Sequence, residues 1–529
     1  MSNYLKPNIR FEPLVSGWYA WSHLIAPHTA AMNTVHRHIK IMQSYIDNPD
    51  VHENAVRNPE LAGGPFLDMP RDQLGAVRRL LETTETRCRD LIELSSAIQA
   101  ASDLLAGQAT GASLEGLYAQ VPSALRGFVE LVYDTNHRPA LRFIEALLYR
   151  SKYYRPGDQE IVGIETKTDH RPFILSTPRM AVGDDELRMT LPFADPRLDE
   201  LYAARRRPKR CDALIDLLRI PPEHVPRFRR LFTDTAPRVP ADREYRGDGV
   251  RIRYFGHACV LVQTDEVSIL TDPVISYDVA GEVPRFTFSD LPDVIDYVLL
   301  THNHQDHVVI ESLLELRGRV KTVVYPGDET GFLADPSMRL ILQQLGFRSL
   351  TSLHELEALP VPGGEILGLP FLGEHADLNI QSKRAYRVML KDRAIVFAVD
   401  SNNIEPRLYD HIAEQVGNTD VLFLGMECDG APLSFLYGPV LTRPITRKDD
   451  RSRRLCGSDY AHGLAMVDRL APRQVWVYAM GAEPWLGYIM SLHYTAESRP
   501  IVESDRLVAT CRARGIESER LFGAKEWQL

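Results

Sequence analysis

The sequence has few cysteines and no long apolar run. Its six cysteines form no CxxC pair and no dense framework, which excludes a disulfide-stapled secreted fold and favours a reducing compartment. No stretch approaches the roughly 18 apolar residues of a membrane-spanning helix. The opening MSNYLKPNIR lacks the basic and apolar regions of a signal peptide. We therefore expect a cytoplasmic protein that does not enter a membrane.

An excess of basic residues is also missing. The 61 lysines and arginines are outnumbered by 71 acidic residues, giving a formal net charge of −10. This balance argues against a non-specific nucleic-acid binder, which needs a basic surface. The apolar fraction of 44% and the charged fraction of 25% are typical of globular proteins. A length of 529 residues predicts several domains.

Residues 1–235 are predicted to form a mainly helical domain of α+β type. Helical spacing of apolar residues predicts helices at 71–106, Ser123–Tyr149, Pro196–Arg206 and Asp212–Leu218. Two apolar runs around Gly183 predict a hairpin, namely Phe173–Ser176 and Leu187–Leu191. Histidines of this half lack carboxylate or cysteine partners at metal-ligand spacing and are interpreted as structural: His23, His28, His36 and His38.

The composition changes after residue 235. Residues 236–249 are rich in proline, glycine and charge, which predicts a linker. In residues 250–529, short β-rich runs alternate with helical stretches, which predicts either an α/β domain or a β-sandwich with helices. These runs are Ile252–Phe255, Cys259–Val262, Val267–Leu270, Tyr297–Leu300, Thr322–Tyr325, Ala394–Val399, Val421–Gly425 and Gln474–Tyr478.

The strongest chemical signal is a loop that follows the predicted strand Tyr297–Leu300. His302 and His304 are two residues apart, so an extended backbone places both imidazoles on one side, where they can share a metal. Asp306 and His307 lie where the chain turns toward a helix and can hold a second metal nearby. Buried imidazoles and a carboxylate at this density need a partner, and a metal ion satisfies them. The loop predicts a dinuclear metal site.

The sequence HNHQDH has the HxHxDH form and resembles the metallo-β-lactamase fold. Upstream, Gly256-His257-Ala258-Cys259 and Ile269-Leu270-Thr271-Asp272-Pro273 resemble the opening strands of that fold. The resemblance covers roughly residues 250–529 and implies an αββα sandwich with a dinuclear site at the sheet edges. It also implies that Asp272 is the buried aspartate that orients the histidine loop, in line with the carboxylate partners that ligating imidazoles usually have.

Further ligands are expected at the ends of later strands. Asp400 resembles the bridging aspartate of the family. The segment Gly373–Asp377 offers both Glu374 and His375, and spacing alone leaves open which of them faces the metal. Glu427 follows the strand Val421–Gly425 and is the last candidate. A hydrolase of this fold would use a histidine instead, for which the sequence offers His462 and His493.

The set with Glu374 and Glu427 contains four carboxylates, and hard oxygen donors favour iron or manganese over zinc. This set resembles the diiron β-hydroxylases of chloramphenicol biosynthesis (CmlA type), and so does the long N-terminal extension. The resemblance implies seven iron ligands, with Glu374 also a candidate catalytic residue: His302, His304, Asp306, His307, Glu374, Asp400 and Glu427. It implies oxygen-dependent hydroxylation of the β-carbon of an amino acid tethered to a carrier domain of a nonribosomal peptide synthetase.

Such a reaction needs electrons from outside the chain. The sequence shows no flavin or nicotinamide fingerprint, so a separate reductase is expected. An acidic carrier domain would dock on a basic surface. Three basic runs are candidates, and we prefer the third because it follows the metal-ligand strands: Arg205–Arg210, Arg227–Arg230 and Arg443–Arg454. Three aromatic residues fit either a substrate pocket or the core: Tyr437, Trp485 and Tyr488.

Two other functions compete with hydroxylation. A dizinc hydrolase of an ester, lactone or phosphodiester would bind zinc through His375 rather than iron through Glu374. A non-catalytic, partner-binding member of the fold would have lost metal ligands, and the full ligand set argues against it. The N-terminal 235 residues carry no catalytic motif, so we expect them to form an interface, either for docking or for a homodimer.

Overall fold

The computed structural model of the chain describes residues 2–180, 186–327 and 330–529. We call residues 2–235 the N-terminal region. Its strands are Ser2–Leu5 (β1), Ile9–Val15 (β2), Trp18–Tyr19 (β3), Val129–Tyr133 (β4), Pro139–Phe143 (β5), Gln159–Glu165 (β6), Glu186–Thr190 (β7), Lys209–Arg210 (β8) and Phe232–Thr233 (β9). They form a four-stranded sheet β3-β2-β6-β7, a three-stranded sheet β8-β1-β9 and the β4-β5 hairpin.

Helices of the N-terminal region surround these small sheets. The α-helices are Ser22–Ile25 (α1), Pro27–Asn33 (α2), Lys40–Asp47 (α3), Pro49–Val56 (α4), Leu74–Arg87 (α5), Arg89–Gln108 (α6), Glu145–Leu148 (α7), Arg197–Ala203 (α8), Cys211–Leu218 (α9) and Val225–Arg230 (α10). A π-helix spans Thr34–Ile39, and 3₁₀ turns lie at Pro59–Leu61, Arg71–Gln73, Glu115–Gln120, Ser123–Leu125, Pro156–Asp158 and Pro222–His224. The helix predicted at 71–106 is two helices that meet at Cys88.

One of the helices predicted for this region is wrong. Ser123–Tyr149 is not one helix but a 3₁₀ turn, the β4-β5 hairpin and the short α7. The side chain of Asp134 accepts hydrogen bonds from the backbone N–H groups of Asn136 and Arg138, and this Asx turn reverses the chain in place of a helix.

The predicted hairpin around Gly183 is only half right. Leu187–Leu191 does contain a strand, β7, but β7 pairs antiparallel with β6. Phe173–Ser176 is a turn, closed by a hydrogen bond from the Thr177 N–H to the Phe173 carbonyl. The flanking Pro172 and Pro178 lack a backbone donor for a ladder, which explains why this run is not a strand. Gly183-Asp184-Asp185 lies outside the described residues.

We call residues 250–529 the C-terminal region. Its strands are Arg251–Gly256 (β10), Cys259–Gln263 (β11), Ser268–Thr271 (β12), Ile295–Leu299 (β13), Val320–Pro326 (β14), Leu350–Leu353 (β15), Ala358–Val361 (β16), Gly364–Leu369 (β17), Ala385–Leu390 (β18), Arg393–Val399 (β19), Val421–Gly425 (β20), Gln474–Tyr478 (β21), Glu517–Arg520 (β22) and Lys525–Gln528 (β23). The β-rich runs predicted for this half all fall on strands.

The helices of the C-terminal region lie outside the two sheets. They are Ile310–Leu316 (α11), Met338–Gln344 (α12), Arg407–Val416 (α13), Leu433–Tyr437 (α14), Arg447–Ser452 (α15), Tyr460–Leu470 (α16), Gly487–Met490 (α17) and Arg499–Ala513 (α18). 3₁₀ turns lie at Arg317–Arg319, Gly438–Val440 and Pro484–Leu486. Among the described residues, no helix has the length and apolar character needed to cross a membrane.

The C-terminal region is the expected αββα sandwich. Its two seven-stranded sheets have the orders β15-β14-β13-β12-β11-β10-β23 and β16-β17-β18-β19-β20-β21-β22. One buried apolar cluster joins the facing sides of the sheets, with Ile252, Ile269, Phe397 and Phe423 among its members. A second cluster packs α13, α16 and α18 on the outer face of the second sheet. Strands β12 to β15 are parallel, and so are β19 to β22.

The two regions share a hydrophobic core, because a single buried cluster contains residues from Leu5 to Met490. Helix α11 also joins them through buried ion pairs, Arg205 with Glu315 and Arg171 with Glu311. Each sheet nevertheless takes its strands from one region, and described residues 236–249 form no helix or strand. We therefore propose domains 1–235 and 250–529, with 236–249 as the linker.

Candidate metal centre

The parallel strands place their carboxyl ends at one edge of the sandwich, which is where ligands bind in open α/β sheets. Strand β13 runs into the histidine loop, and β12 ends at Thr271, directly before Asp272. In the second sheet, β19 ends directly before Asp400, and β20 ends two residues before Glu427. Hydrophobic strands that are buried on both faces thus bring residues far apart in sequence to one edge.

The histidine pair expected to share a metal faces the carboxylate of Glu374. His304 Nδ1 lies 3.0 Å from Glu374 Oε1, and His302 Nε2 lies 3.8 Å from Oε2. One donor atom from each of His302, His304, Glu374 and His375 lies within 4.8 Å of the others. All of these side chains are buried. The first predicted metal position therefore has two imidazoles and a carboxylate directed at one point.

Asp306 and His307 form a second group with a histidine that we had not predicted as a site residue. His257, in the tight turn between β10 and β11, lies with its Nε2 3.2 Å from Asp306 Oδ2. His307 Nε2 lies 3.7 Å from the same oxygen. The three donor atoms lie within 4.8 Å of one another. Asp306 and His307 thus form a separate donor group with His257, although the ring of His307 also lies beside that of His302, with centroids 4.0 Å apart.

Asp400 lies between the two groups. Its Oδ2 is 3.0 Å from His307 Nε2 and 3.9 Å from His302 Nε2. The preceding Val399 has a φ of 52°, a left-handed conformation that is unfavourable for a β-branched residue. Strain of this kind concentrates at functional sites, and here it turns the chain so that Asp400 reaches both groups.

Glu427 lies beside these groups rather than inside them. Its carboxylate is not among the donor clusters of the described residues, but the residue lines the same cavity as Glu374 and Asp400. The hydrolase-type alternatives lie elsewhere. His462 lies on α16, where its Nδ1 is 2.7 Å from Asn402 Oδ1, and His493 is exposed. Neither belongs to a donor cluster among residues 2–180, 186–327 and 330–529.

Asp272 holds the histidine loop from behind. Its carboxylate accepts hydrogen bonds from the backbone N–H of Thr301 at 2.8 Å and from the Thr301 hydroxyl at 2.5 Å. His307 Nδ1 lies 2.9 Å from Asp272 Oδ2, so the imidazole is oriented with Nε2 toward Asp400. This is the orienting role that the resemblance implied for Asp272.

The structure places both Glu374 and His375 beside the histidine pair. Glu374 has a φ of 65°, which directs its carboxylate between His302 and His304. His375 Nδ1 lies 3.1 Å from the Gly373 carbonyl, within its own loop. The short loop therefore brings two adjacent side chains to one side, which alternation along a strand would not allow.

The electrostatics of the site match an anionic pocket built for cations. Burial, with smaller contributions from Asp400 and Asp306, raises the pKa of Glu374 to about 7 against the opposite effect of His304. Burial and the same two carboxylates raise the pKa of Glu427 well above its usual range. Burial would lower the pKa of His307, but Asp306, Asp400 and Asp272 together raise it. Bound cations would stabilise these crowded carboxylates in their ionised form.

Buried donor atoms without hydrogen-bond partners provide a test of metal binding. Such atoms include His302 Nε2, Glu374 Oε2 and Asp400 Oδ1. Unsatisfied buried polar atoms are costly, and these three belong to the donor groups described above. Imidazoles combined with several carboxylates suit iron. The residues present therefore fit two iron ions, which these donor groups would hold.

A cavity of about 850 Å³ opens onto this centre. Metal-site residues form its floor, including Asp306, Glu374, Asp400 and Glu427. The N-terminal region supplies one wall, including His36, Lys40 and the loop 60–66. Another wall is formed by Arg454 with residues 429–432, 434–436, 438 and 439. This volume lies within the range of pockets that enclose drug-sized ligands.

Two residues of the site escaped the sequence analysis. His257 lies in a segment that the resemblance identifies only as an opening strand, and the signal for it is a histidine directly after a glycine at the end of an apolar strand. Tyr437 was considered a pocket or core residue, but its hydroxyl lies 2.9 Å from His304 Nε2. Nothing in the sequence around Tyr437 indicates that contact. Trp485 and Tyr488 are buried away from the cavity lining.

Comparison with known proteins gives a consistent result over the whole chain. The family described as "Diiron non-heme beta-hydroxylase N-terminal domain" matches residues 4–237, and the "Beta-lactamase superfamily domain" matches residues 251–427. The 4-amino-L-phenylalanyl-[CmlP-peptidyl-carrier-protein] 3-hydroxylase of Streptomyces venezuelae is 38% identical over 522 residues, 98% of each chain. A metal-dependent hydrolase from Rhizobium johnstonii is 37% identical over 62 residues, only 11% of this chain and 24% of that protein.

The solved structures agree with the sequence relatives. The crystal structure of CmlA, a diiron β-hydroxylase from Streptomyces venezuelae, superposes with a TM-score of 0.93 at 36% identity, and 100% of each chain is covered. Both regions of the molecule therefore match, and not only the metallo-β-lactamase-like part. This result decides against the dizinc hydrolase and the non-catalytic protein that the sequence left as alternatives. The chain belongs to the CmlA-type diiron non-heme β-hydroxylases, and it is an iron-dependent hydroxylase.

Proposed function

We propose that this chain hydroxylates the β-carbon of an amino acid held as a thioester on a carrier domain of a nonribosomal peptide synthetase, in biosynthesis of a chloramphenicol-like antibiotic. The main support is that the chain is similar over its full length to a hydroxylase whose name specifies a carrier-bound aminoacyl substrate. The cavity supports the proposal, because it connects the metal centre with both regions of the molecule.

The proposed ligands divide into two sets around Asp400. His302, His304 and Glu374 would hold one iron, and Asp306, His307 and Glu427 the other. Bound iron supplies the redox chemistry with oxygen, and the protein supplies binding and orientation. Glu374 is the proposed catalytic residue, because its buried carboxylate faces both His302 and His304 and would help to hold the iron there.

The overall hydroxylation reaction determines which reactants must be supplied. One oxygen atom of O₂ enters the C–H bond and the other leaves as water, which consumes two electrons and two protons per turnover. We propose that a separate reductase supplies the electrons.

The contact of α15 with a residue that lines the cavity supports docking of the carrier beside the cavity. Asp450 on this helix accepts hydrogen bonds from the backbone N–H of Ser434 at 2.8 Å and from its hydroxyl at 2.7 Å. Ser434 lines the cavity. The exposed side chains of Arg447, Lys448 and Arg451 on α15 present positive charge to an acidic carrier.

Other members of the basic runs have structural partners. Arg453 donates to the Ala376 carbonyl at 2.9 Å, and Arg454 donates to the Gly430 carbonyl at 2.8 Å. Arg205 is buried against Glu315, and Arg229 pairs with Asp212. Arg447, Lys448 and Arg451 are therefore the better residues for a docking test.

The function is tested by product formation. Iron-loaded protein, a chemical reductant and oxygen are mixed either with free 4-amino-L-phenylalanine or with the same amino acid loaded on a carrier domain. We expect the β-hydroxylated product from the loaded carrier and little from the free amino acid. Equal rates would refute the carrier requirement, and full activity of iron-free zinc protein would refute the iron assignment.

The docking face is tested by charge reversal of Arg447, Lys448 and Arg451 to glutamate. Each exposed ion pair contributes up to about 1 kcal/mol, so carrier binding should weaken roughly tenfold or more, and the remaining affinity should fall less steeply with salt. The matched control reverses Arg78, Arg79 and Arg89, which are exposed on α5 and α6 and lie outside the cavity lining. Equal effects of both triple variants would contradict a specific face.

We also propose that the N-terminal region contributes to a homodimer. Exposed large apolar side chains on its surface support an interface, including Val51, Tyr118 and Leu147. Because the two regions share a core, the test uses the full chain. Sedimentation should give a dimer that Tyr118→Asp combined with Leu147→Asp weakens, and a monomeric parent protein would refute the proposal.

A further inference from the structure

Tyr437 lies behind the wall of the cavity rather than in it. Its neighbours Leu436 and Gly438 line the cavity, whereas Tyr437 is absent from the lining and only 2% exposed. Its hydroxyl lies 2.9 Å from His304 Nε2. We propose that Tyr437 is a positioning residue for His304, and that Arg37 of the N-terminal region holds Tyr437 in place. This inference rests on the proposed role of His304 as an iron ligand.

The two nitrogens of His304 face opposite partners. Nδ1 lies on the side of Glu374, 3.0 Å from Oε1, where the first iron would bind. Nε2 lies on the other side, against Tyr437. An imidazole that ligates through Nδ1 carries its proton on Nε2, so Nε2–H donates to the Tyr437 hydroxyl oxygen. Such a bond fixes the tautomer and ring orientation and increases the basicity of the ligand.

Arg37 connects the N-terminal region to the helix that ends at Tyr437. Its Nη2 donates to the carbonyls of Phe435 at 2.6 Å and Leu436 at 3.2 Å. These carbonyls lie in the last turn of α14, where carbonyls have no partner within the helix and a cation is favourable. Arg37 itself lies on the π-helix Thr34–Ile39, an irregularity that is frequent at functional sites.

The alternative role for Tyr437 is core packing. Removal of its hydroxyl group distinguishes the two roles. A ring that only fills space would be replaced by phenylalanine with little effect on the metal site. A ring that accepts from Nε2–H would not, because the imidazole would lose its orienting partner. Loss of such a partner typically weakens metal affinity 10–100-fold, so we expect that range for Tyr437→Phe.

The test measures Fe(II) affinity by chelator competition and the environment of each iron by Mössbauer spectroscopy. Tyr437→Phe should weaken one iron about 10–100-fold and alter the spectrum of that iron. Arg37→Met should have a smaller effect in the same direction. Tyr153→Phe is the matched control, since Tyr153 is buried and donates to the Ala124 carbonyl at 3.0 Å, away from the metal centre. Its affinity and spectrum should equal those of the parent protein.

The outcomes separate this inference from the proposed ligand set. Parent-like affinity and spectrum of Tyr437→Phe would overturn the positioning role while the ligand set stands. His304→Ala that retains both irons with parent affinity would overturn the ligand assignment itself. Thermal unfolding of the apo variants distinguishes a lost bond from a lost fold. Equal melting of Tyr437→Phe and Tyr153→Phe, combined with weaker iron binding in the first alone, supports the inference.

Discussion

The molecule contains two groups of buried histidines with opposite surroundings. In the N-terminal region the imidazoles lie against aromatic rings, with centroid distances of 4.5 Å for His23 on Trp21 and 3.9 Å for His38 on Trp18. In the C-terminal region His302, His304 and His307 face carboxylates. Burial is nearly the same in both groups, so burial alone does not distinguish a structural histidine from a metal ligand.

The pKa values show how the neighbouring groups change the protonation of the buried histidines. Burial lowers the pKa of His28 to about 3, and it lowers those of His23 and His38 well below the usual value. His307 is equally buried, yet Asp306, Asp400 and Asp272 raise its pKa. Burial keeps the imidazoles of the N-terminal group neutral, although His28 Nε2 lies 4.0 Å from Glu145 Oε2, whereas the three carboxylates around His307 favour positive charge and suit metal ions.

Removal of the Glu374 carboxylate should have the largest effect, and it acts on the histidines of the C-terminal region. Glu374→Ala should abolish tight binding of at least one iron, because His302 and His304 then lack their shared anionic partner. His375→Ala is the matched control and should leave the cluster spectrum largely intact. Metal analysis and optical spectra of both variants measure this. The reverse result would make His375 the ligand.

Removing a buried ion pair that joins the N-terminal and C-terminal regions should have the next largest effect. Helix α11 follows the histidine loop, and Arg205→Met would leave Glu315 of that helix buried without its partner. The free energy of unfolding should fall by about 3–5 kcal/mol. Arg229→Met removes an exposed pair with Asp212 and should cost at most about 1 kcal/mol. Urea unfolding compares the two, and equal costs would contradict the structural role of Arg205.

The buried histidines of the N-terminal region should lower the stability of the folded protein at acidic pH. His28 has a pKa of about 3 when folded and about 6.5 when unfolded, so the unfolded state binds more protons between these values. The stabilisation is present above pH 6.5 and is lost as the pH falls toward 3. Between pH 7.5 and pH 5 this amounts to about 2 kcal/mol. In urea unfolding of the apo protein, the free energy of unfolding of His28→Met should fall less over this pH range than that of the parent protein, by the same amount. Parallel curves of unfolding free energy against pH for the two proteins would contradict the prediction.

The C-terminal region could be predicted further than the N-terminal region, for a physical reason. Alternation along extended backbone fixes which side His302 and His304 face, and strand ends at Asp400 and Glu427 are local features. The hairpin β4-β5 depended on an Asx turn at Asp134 that competes with helical periodicity. The partner of β7 lies in β6, more than twenty residues away, where turn signals carry no information.

The sequence by itself determined the donor types and the order of the strands that carry them, since residue chemistry and local backbone geometry need no distant contact. Tertiary structure alone decided that His257 lies beside Asp306 and that Arg37 reaches the helix ending at Tyr437. It also decided which arginines are exposed on α15. These outcomes depend on packing between segments that are distant in the chain, where the partner of a side chain is set by the whole fold rather than by its sequence neighbours.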